Sequence, residues 1–280
     1  MTLMDLIQAA LREDMPRGDL TTDSLALVPR FGQARLIAKE DLALSGTMAF
    51  EQTMTALEPG AKVQWHFKEG DAVIERQIIC HITGDLIQIL KAERVALNFI
   101  GHLSGIATLT RSFVKQVEHT STKILDTRKT LPGYRELEKR AVTHGGGHNH
   151  RYNLSDGVLI KDNHIRVANG LTHAVRRIRE HTHERIEVEC SNLDEVREAV
   201  SLNVERILLD NMSNEMTKRA LEVIPDEIQT EASGNMSVGR VRAIAEFGVD
   251  FISVGAITHS APTADVSLIF DWQETEVGAI

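Results

Sequence analysis

Two short apolar runs in this chain each end in cations. Ile124-Leu125 leads into Asp126-Thr127-Arg128-Lys129, and Val158-Leu159-Ile160 leads into Lys161-Asp162-Asn163-His164. Burying a cation without a partner is costly and adds nothing to a core. A strand that stops in Arg-Lys therefore reads as the floor of a pocket for a polyanion. Between the two runs lie a helical pattern from Tyr134 to Thr143, the triplet Gly145-Gly146-Gly147, and His148-Asn149-His150-Arg151. Any one of Arg128, Lys129, Arg151 and Lys161 alone is an ordinary surface charge. Four of them on two strand ends and one glycine-rich loop point to an anion site. Arginine suits a carboxylate, because its planar fork makes two parallel charge-assisted bonds, whereas lysine offers phosphate a point charge.

Further along, Glu189 and Asp210 close successive apolar runs. They are either solvated or placed to hold ribose hydroxyls or a hard cation such as Mg²⁺, which takes oxygen ligands and brings phosphates with it. Ser233-Gly234 and Gly255-Ala256 are positions where backbone N–H groups free of side-chain bulk can cradle a phosphate. His144, His148, His150 and His164 invite a zinc reading, but no HExxH spacing is present and no cysteine lies near. His150, beside Arg151, is better read as a hydrogen-bond donor to a bound carboxylate.

The elements that must carry these residues follow from periodicity. A helix is expected over residues 3–13 and another over 47–57, with strand-like alternation over 33–40, 62–67 and 73–83, an α+β pattern. From Leu86 to about Glu118 the period is helical. Glu93, Arg94 and Asn98 interrupt its apolar face, and Gly101 and Gly105 allow close packing or a break. A domain boundary is expected near Ser104 to Leu109. Beyond it, the short runs at 124–125, 158–160, 186–188, 207–209, 228–230 and 251–254 alternate with helical segments at 134–143, 171–181, 193–201, 212–223 and 238–247. Repeated βα units imply a parallel sheet, closed as a barrel or doubly wound. Polar residues just past every run favour the barrel, where they share one rim; a doubly wound sheet gathers ligands at one switch point. About six strands fall short of the usual eight.

Composition bounds the partners. The 280 residues, 42% apolar, can bury one large core or two modest ones, and the two distant cysteines, Cys80 and Cys190, make no disulfide framework. No leader peptide or membrane span is expected, and a reduced, cytoplasmic setting is the default. A net charge of -9 argues against nucleic acid. From Asp126 to His164 the basic residues nevertheless outnumber the acidic ones, which suits a small anionic ligand.

The motifs LREDMPRGDLTTDSL, AERVALNFIGHLSGIAT, DTRKTLPGYRELEKRAV, GGGHNHR, VLIKDNHI, EVEC, ILLDN, EASGN and ISVGAITHSAPTADVSL span nearly the whole chain. Together they resemble the quinolinate phosphoribosyltransferases, the carboxylating nicotinate-nucleotide pyrophosphorylases of NAD biosynthesis. The resemblance implies an N-terminal open α/β sandwich over residues 1–106, to which segment 265–280 returns, and an incomplete α/β barrel over 107–264. It also implies a homodimer in which Arg94 enters the partner's active site, and Mg²⁺ with no organic cofactor. Arg128, His150, Arg151 and Lys161 resemble the pocket for the pyridine dicarboxylate, with Thr127 beside it. Lys129, Glu189 and Asp210 resemble the residues around ribose, pyrophosphate and Mg²⁺, and Lys129, Lys161, Glu189 and Asp210 are the expected catalytic set. Ser233, Gly234 and Gly255 resemble the 5′-phosphate cradle. The implied reaction moves a phosphoribosyl group to the pyridine nitrogen, expels pyrophosphate and releases CO₂. The sequence departs from the family at Val95, often Thr, at Asn235, often Gly, and around Cys190-Ser191. Two alternatives stand beside this reading: a related transferase for another anionic base, including the group linked to molybdenum transport, and a non-catalytic phosphometabolite-binding barrel.

Overall fold

The computed structural model describes residues 2–271. They divide into two compact units, one from residues 2–109, 132–145 and 261–271 and the other from 110–131 and 146–260.

In the first unit, α1 (Leu3–Asp14) starts in a reciprocal capping box between Thr2 and Asp5, and α2 (Leu20–Ser24) is capped by the Asp19 carboxylate. Then come β1 (Phe31–Ala38), β2 (Leu42–Ala43), α3 (Thr47–Leu57), β3 (Lys62–Trp65), β4 (Ala72–Val73), β5 (Ile78–Asp85) and the long helix α4 (Leu86–Val117), whose residues from 110 on are counted in the second unit. The single strand expected over 73–83 is two, because Arg76 at φ 69° turns the chain between them. Alternation in β1 buries Ala34, Leu36 and Ala38 against Phe50 and Met54 of α3 and against Leu86, Ile89, Ala92, Ala96 and Ile100 of α4. The α4 positions recur at helical spacing, one apolar stripe facing one sheet. Its glycines serve close packing, not a break: a β-carbon on Gly105 would lie 2.0 Å from the Pro262 carbonyl oxygen. The last strand, β12 (Val266–Asp271), pairs with β1, giving the antiparallel order β12-β1-β5-β3. Residues 272–280 of the expected returning segment lie outside the described residues.

The helix α5 (Arg135–His144) corrects the expectation for the barrel. Its segment belongs to the first unit, where Tyr134 stacks on Phe99, His102 meets Glu138 at 2.9 Å and His144 Nδ1 meets Ser45 Oγ at 2.9 Å.

The second unit holds six parallel strands, β6 (Lys123–Leu125), β7 (Val158–Ile160), β8 (Ile186–Cys190), β9 (Arg206–Asp210), β10 (Gln229–Ser233) and β11 (Phe251–Ser253). Their order is β6-β11-β10-β9-β8-β7. The two edge strands are consecutive in the chain, so the sheet is a βα barrel left open between its first and second strands. Between strands run α6 (Asp162–Val167), α7 (Leu171–His181), α8 (Leu193–Ser201), α9 (Asn214–Leu221) and α10 (Val238–Ala245), with α11 (Ala256–His259) after β11. Asn192 and Ser213 cap α8 and α9 with side-chain oxygens. Ala174 and Val175 of α7 and Val196 and Ala199 of α8 pack on Val188 and Ile207 in one core. The strands are covered on both faces, so they read as apolar runs.

Candidate active site

The carboxyl ends of the six strands surround a cavity of about 490 Å³. Thr127, Arg128 and Lys129 reach it from the end of β6, Lys161 from β7, Glu189 from β8, Asp210 from β9 and Ser233 from β10, with His150 and Arg151 from the glycine-rich loop. Parallel register sets Glu189 beside Leu208 and Ser233 beside Asp210, so alternate residues on neighbouring strands share the inner face. Gly234 and Gly255 follow β10 and β11 at the same ends; a β-carbon on Gly255 would touch the Lys129 side chain at 3.0 Å. Arg94 is not among the lining residues. It lies on α4 in the first unit and lines a separate cleft with Asp14 to Leu20, Leu90 and Lys91.

The glycine-rich loop is fixed by the backbone of the first barrel strand. His148 N donates to the Ile124 carbonyl at 2.8 Å, and Asp126 N donates to the His148 carbonyl at 3.0 Å. The fully buried Asp126 then accepts the His150 N–H at 2.8 Å on its carboxylate. Arg151 is steadied by a 3.1 Å bond from Nη1 to the Gly157 carbonyl. Lys129 is held through its own carbonyl, which accepts the Thr258 hydroxyl at 2.8 Å. Lys161 Nζ pairs with the Glu189 carboxylate. Two guanidiniums thus share one wall, and the protein under-neutralises them. Burial, and then the like charge of Arg128, hold the Arg151 guanidinium below its ordinary value. Arg128 Nε is buried without a hydrogen-bond partner among the described residues. An orphaned, buried guanidinium nitrogen beside a second arginine calls for an anion with more than one oxygen.

Below this wall is a network that the sequence reading missed. His150 Nε2 lies 3.2 Å from Glu187 Oε2 and 3.6 Å from Glu231 Oε2, and Arg206 Nη1 lies 3.2 Å from Glu231. His150, Glu187 and Glu231 are close enough together to hold a metal ion, but the Arg206 guanidinium already supplies positive charge to both carboxylates. Burial works against an imidazolium at His150, yet Glu187 and then Glu231 outweigh it and raise its affinity for a proton. The other ring nitrogen, Nδ1, accepts the Arg151 backbone N–H at 2.7 Å, which places the ring proton on Nε2. In this arrangement both ring nitrogens face protein partners, Nδ1 the Arg151 N–H and Nε2 the two acids, and His150 also lines the cavity. The four histidines also separate. His164 accepts the Lys161 N–H at the start of α6, and His148 bridges to Leu125.

Glu187 was hidden because it sits inside a strand, in IEVEC, where the eye reads the apolar neighbours, and Glu231, expected on the rim just past the run at 228–230, sits inside the strand Gln229–Ser233. A charge midway along a strand covered on both faces was the available signal, since such a group requires partners.

Residues 19–104 match the family described as quinolinate phosphoribosyl transferase, N-terminal domain, and residues 106–269 match its C-terminal domain. The chain belongs to the quinolinate phosphoribosyltransferase family. A probable nicotinate-nucleotide pyrophosphorylase [carboxylating] of Synechocystis sp. is 43% identical over 94% of this chain and 90% of its own length. One from Bacillus subtilis is 36% identical over 96% and 93%. Among solved structures, the nicotinate-nucleotide pyrophosphorylase of Ehrlichia chaffeensis has a TM-score of 0.93 at 40% identity, covering 97% of this chain and 99% of that one. That of Francisella tularensis has a TM-score of 0.91 at 38% identity, covering 96% and 95%. Asn235, where the resemblance leads one to expect glycine, takes φ 49° and donates to Asn211 Oδ1 at 3.1 Å. Asparagine adopts that left-handed conformation more readily than most side chains, so the departure preserves the turn.

Proposed function

We propose that this chain transfers the phosphoribosyl group of phosphoribosyl pyrophosphate to quinolinate, with loss of CO₂, to give nicotinate mononucleotide and pyrophosphate in NAD biosynthesis. The observation that carries the reading is the pair Arg128 and Arg151 on one cavity wall, with the buried Arg128 Nε unpartnered. In this reading Arg128, Arg151 and Lys161 take the two carboxylates of quinolinate, Thr127 lines the same wall, and His150 orients Arg151. Ser233, Gly234 and Gly255 receive the 5′-phosphate, and Lys129 holds the pyrophosphate end.

Departure of pyrophosphate leaves positive charge on the ribose carbon, and Glu189 and Asp210 stabilise it from fixed positions. These two carboxylates and the Asn211 amide on the cavity lining are the hard oxygen donors that suit Mg²⁺. When bound with the pyrophosphate, the ion offsets leaving-group charge. Lys161, paired with Glu189, holds that carboxylate in place. Bonding of the ring nitrogen to ribose makes the ring an electron sink, so the adjacent carboxylate leaves without an organic cofactor. Holding dianion and sugar in line supplies much of the acceleration.

The assembly in this reading is a homodimer in which Arg94 of one copy completes the site of the other. The acidic chain acts on small anions rather than nucleic acid, in the cytoplasm. Among the described residues, no helix is long and apolar enough to cross a membrane. The test is incubation with quinolinate, phosphoribosyl pyrophosphate and Mg²⁺. Nicotinate mononucleotide, with pyrophosphate and CO₂ in equal amounts, supports the reading. Release of none of them overturns it.

A further inference from the structure

Loss of CO₂ from the ring leaves an electron pair on the carbon that carried it, and nicotinate mononucleotide has a hydrogen there. A proton must therefore be delivered inside the cavity. The cationic wall offers poor donors, because Lys161 is engaged by Glu189 and, in this reading, by a quinolinate carboxylate, and the arginines do not give up protons. We infer that Glu231 is the acid that delivers this proton, an inference that rests on the proposed transferase reaction.

Three observations carry it. Glu231 lines the cavity while being fully buried, on a strand of the barrel's inner face. Its Oε1 has no close hydrogen-bond partner among the described residues, and the Ser253 hydroxyl stands beside the carboxyl group on the cavity lining. Its Oε2 is fixed by Arg206 at 3.2 Å and faces His150 Nε2 at 3.6 Å, which holds the carboxyl in one orientation. The charged groups that face it are Glu187 from β8, Arg206 from β9 and His150 from the glycine-rich loop. Burial, and then the Glu187 charge, push Glu231 up to about 7, against the pull of His150 and Arg206. A carboxylic acid in that range is available as a donor near neutral pH.

In the step, the bond from the ring carbon to the carboxylate breaks, CO₂ departs and the electron pair stays on the ring carbon. Glu231 Oε1–H then transfers its proton to that carbon, leaving a glutamate anion that is reprotonated from water before the next turnover. Until the transfer occurs, CO₂ can recombine with the ring, so a site lacking the acid stalls with the undecarboxylated mononucleotide bound.

The experiment is a single turnover of the whole protein with quinolinate, phosphoribosyl pyrophosphate and Mg²⁺, following pyrophosphate and CO₂ separately. In Glu231→Gln, pyrophosphate release stays within a few-fold of wild type, CO₂ release slows by about 100-fold or more, and quinolinate mononucleotide accumulates. Equal slowing of both products, or of neither, overturns the inference. In wild type the CO₂ step falls as pH rises above about 7, and in Glu231→Gln that dependence disappears. A flat wild-type profile overturns the inference even if the glutamine chain does not fold. Wild-type protein that releases no pyrophosphate at all would instead refute the transferase reading.

Discussion

A β-carbon on Gly234 would lie 2.2 Å from Asn211 Oδ1 and 2.9 Å from Asn211 N. Nothing can yield cheaply there, because Asn211 N already donates to the Ser233 carbonyl at 3.0 Å and Gly234 sits at φ 89°. Gly234→Ala must therefore shift the backbone between β10 and α10, at the proposed phosphate cradle. A strain of about 1–3 kcal/mol raises KM for phosphoribosyl pyrophosphate by about tenfold or more while quinolinate binding holds. Steady-state kinetics with each substrate varied in turn decides it; an unchanged KM would remove Gly234 from the cradle.

Arg151→Ala should weaken quinolinate far more than nicotinate, by about 2–4 kcal/mol, because a charge-assisted pair is lost and one carboxylate is left without its partner. Arg128→Lys keeps the charge but not the fork, so it too should lower turnover sharply. Calorimetric titration of both ligands checks Arg151→Ala, and steady-state turnover checks Arg128→Lys. Equal losses for the two ligands would sink the two-carboxylate assignment.

Stability carries its own signature of Glu231. Its affinity for a proton is raised from 4.5 to about 7 in the folded chain, first by burial and then by Glu187. Folding therefore binds a proton: the stability from this group is full below about 4.5 and is lost as pH rises through about 7. Glu231→Gln removes the titration. Relative to the variant, wild type should lose on the order of 2 kcal/mol between about pH 5 and pH 8. Denaturant unfolding of both chains across that range measures it, and a pH-independent difference would contradict the burial argument.

Arg94 separates two pictures of the assembly. If it acts in the partner's site, an inactive Arg94→Ala chain mixed with an inactive Lys161→Ala chain regains activity, because in a mixed dimer one of the two sites has both residues intact. Mixed dimers verified by mass analysis that stay inactive would return Arg94 to a structural role on α4.

Much of the site was legible in the sequence, because strand ends that break into Arg-Lys or Lys-Asp expose their purpose in one dimension. Arg128, Lys129, Lys161, Glu189 and Asp210 belong to that class, and the cavity gathers all five. The βα rhythm was legible for the same reason, each strand being a short apolar run. What stayed hidden depends on neighbours distant in sequence. Glu187 and Glu231 meet only through β8, β9 and β10 lying side by side with Arg206 between them. The tautomer of His150 depends on its neighbour's N–H, a direction that residue types do not encode. The α5 segment looked like one more barrel helix because its own pattern is amphipathic. Which surface it covers is decided by partners such as Phe99 and His102.

The pairing of β1 with β12 sets Gln33 against Asp271 and Ala38 against Val266, strands that flank the entire barrel in the chain. On the ribosome, β1 can meet β5 early, but its other edge stays bare until every barrel strand has emerged. An unpaired edge with alternating apolar side chains is a template for adding strands from other chains. The nascent protein therefore carries its main aggregation hazard throughout synthesis, and a chain cut before Val266 would keep that hazard permanently even with its catalytic barrel whole.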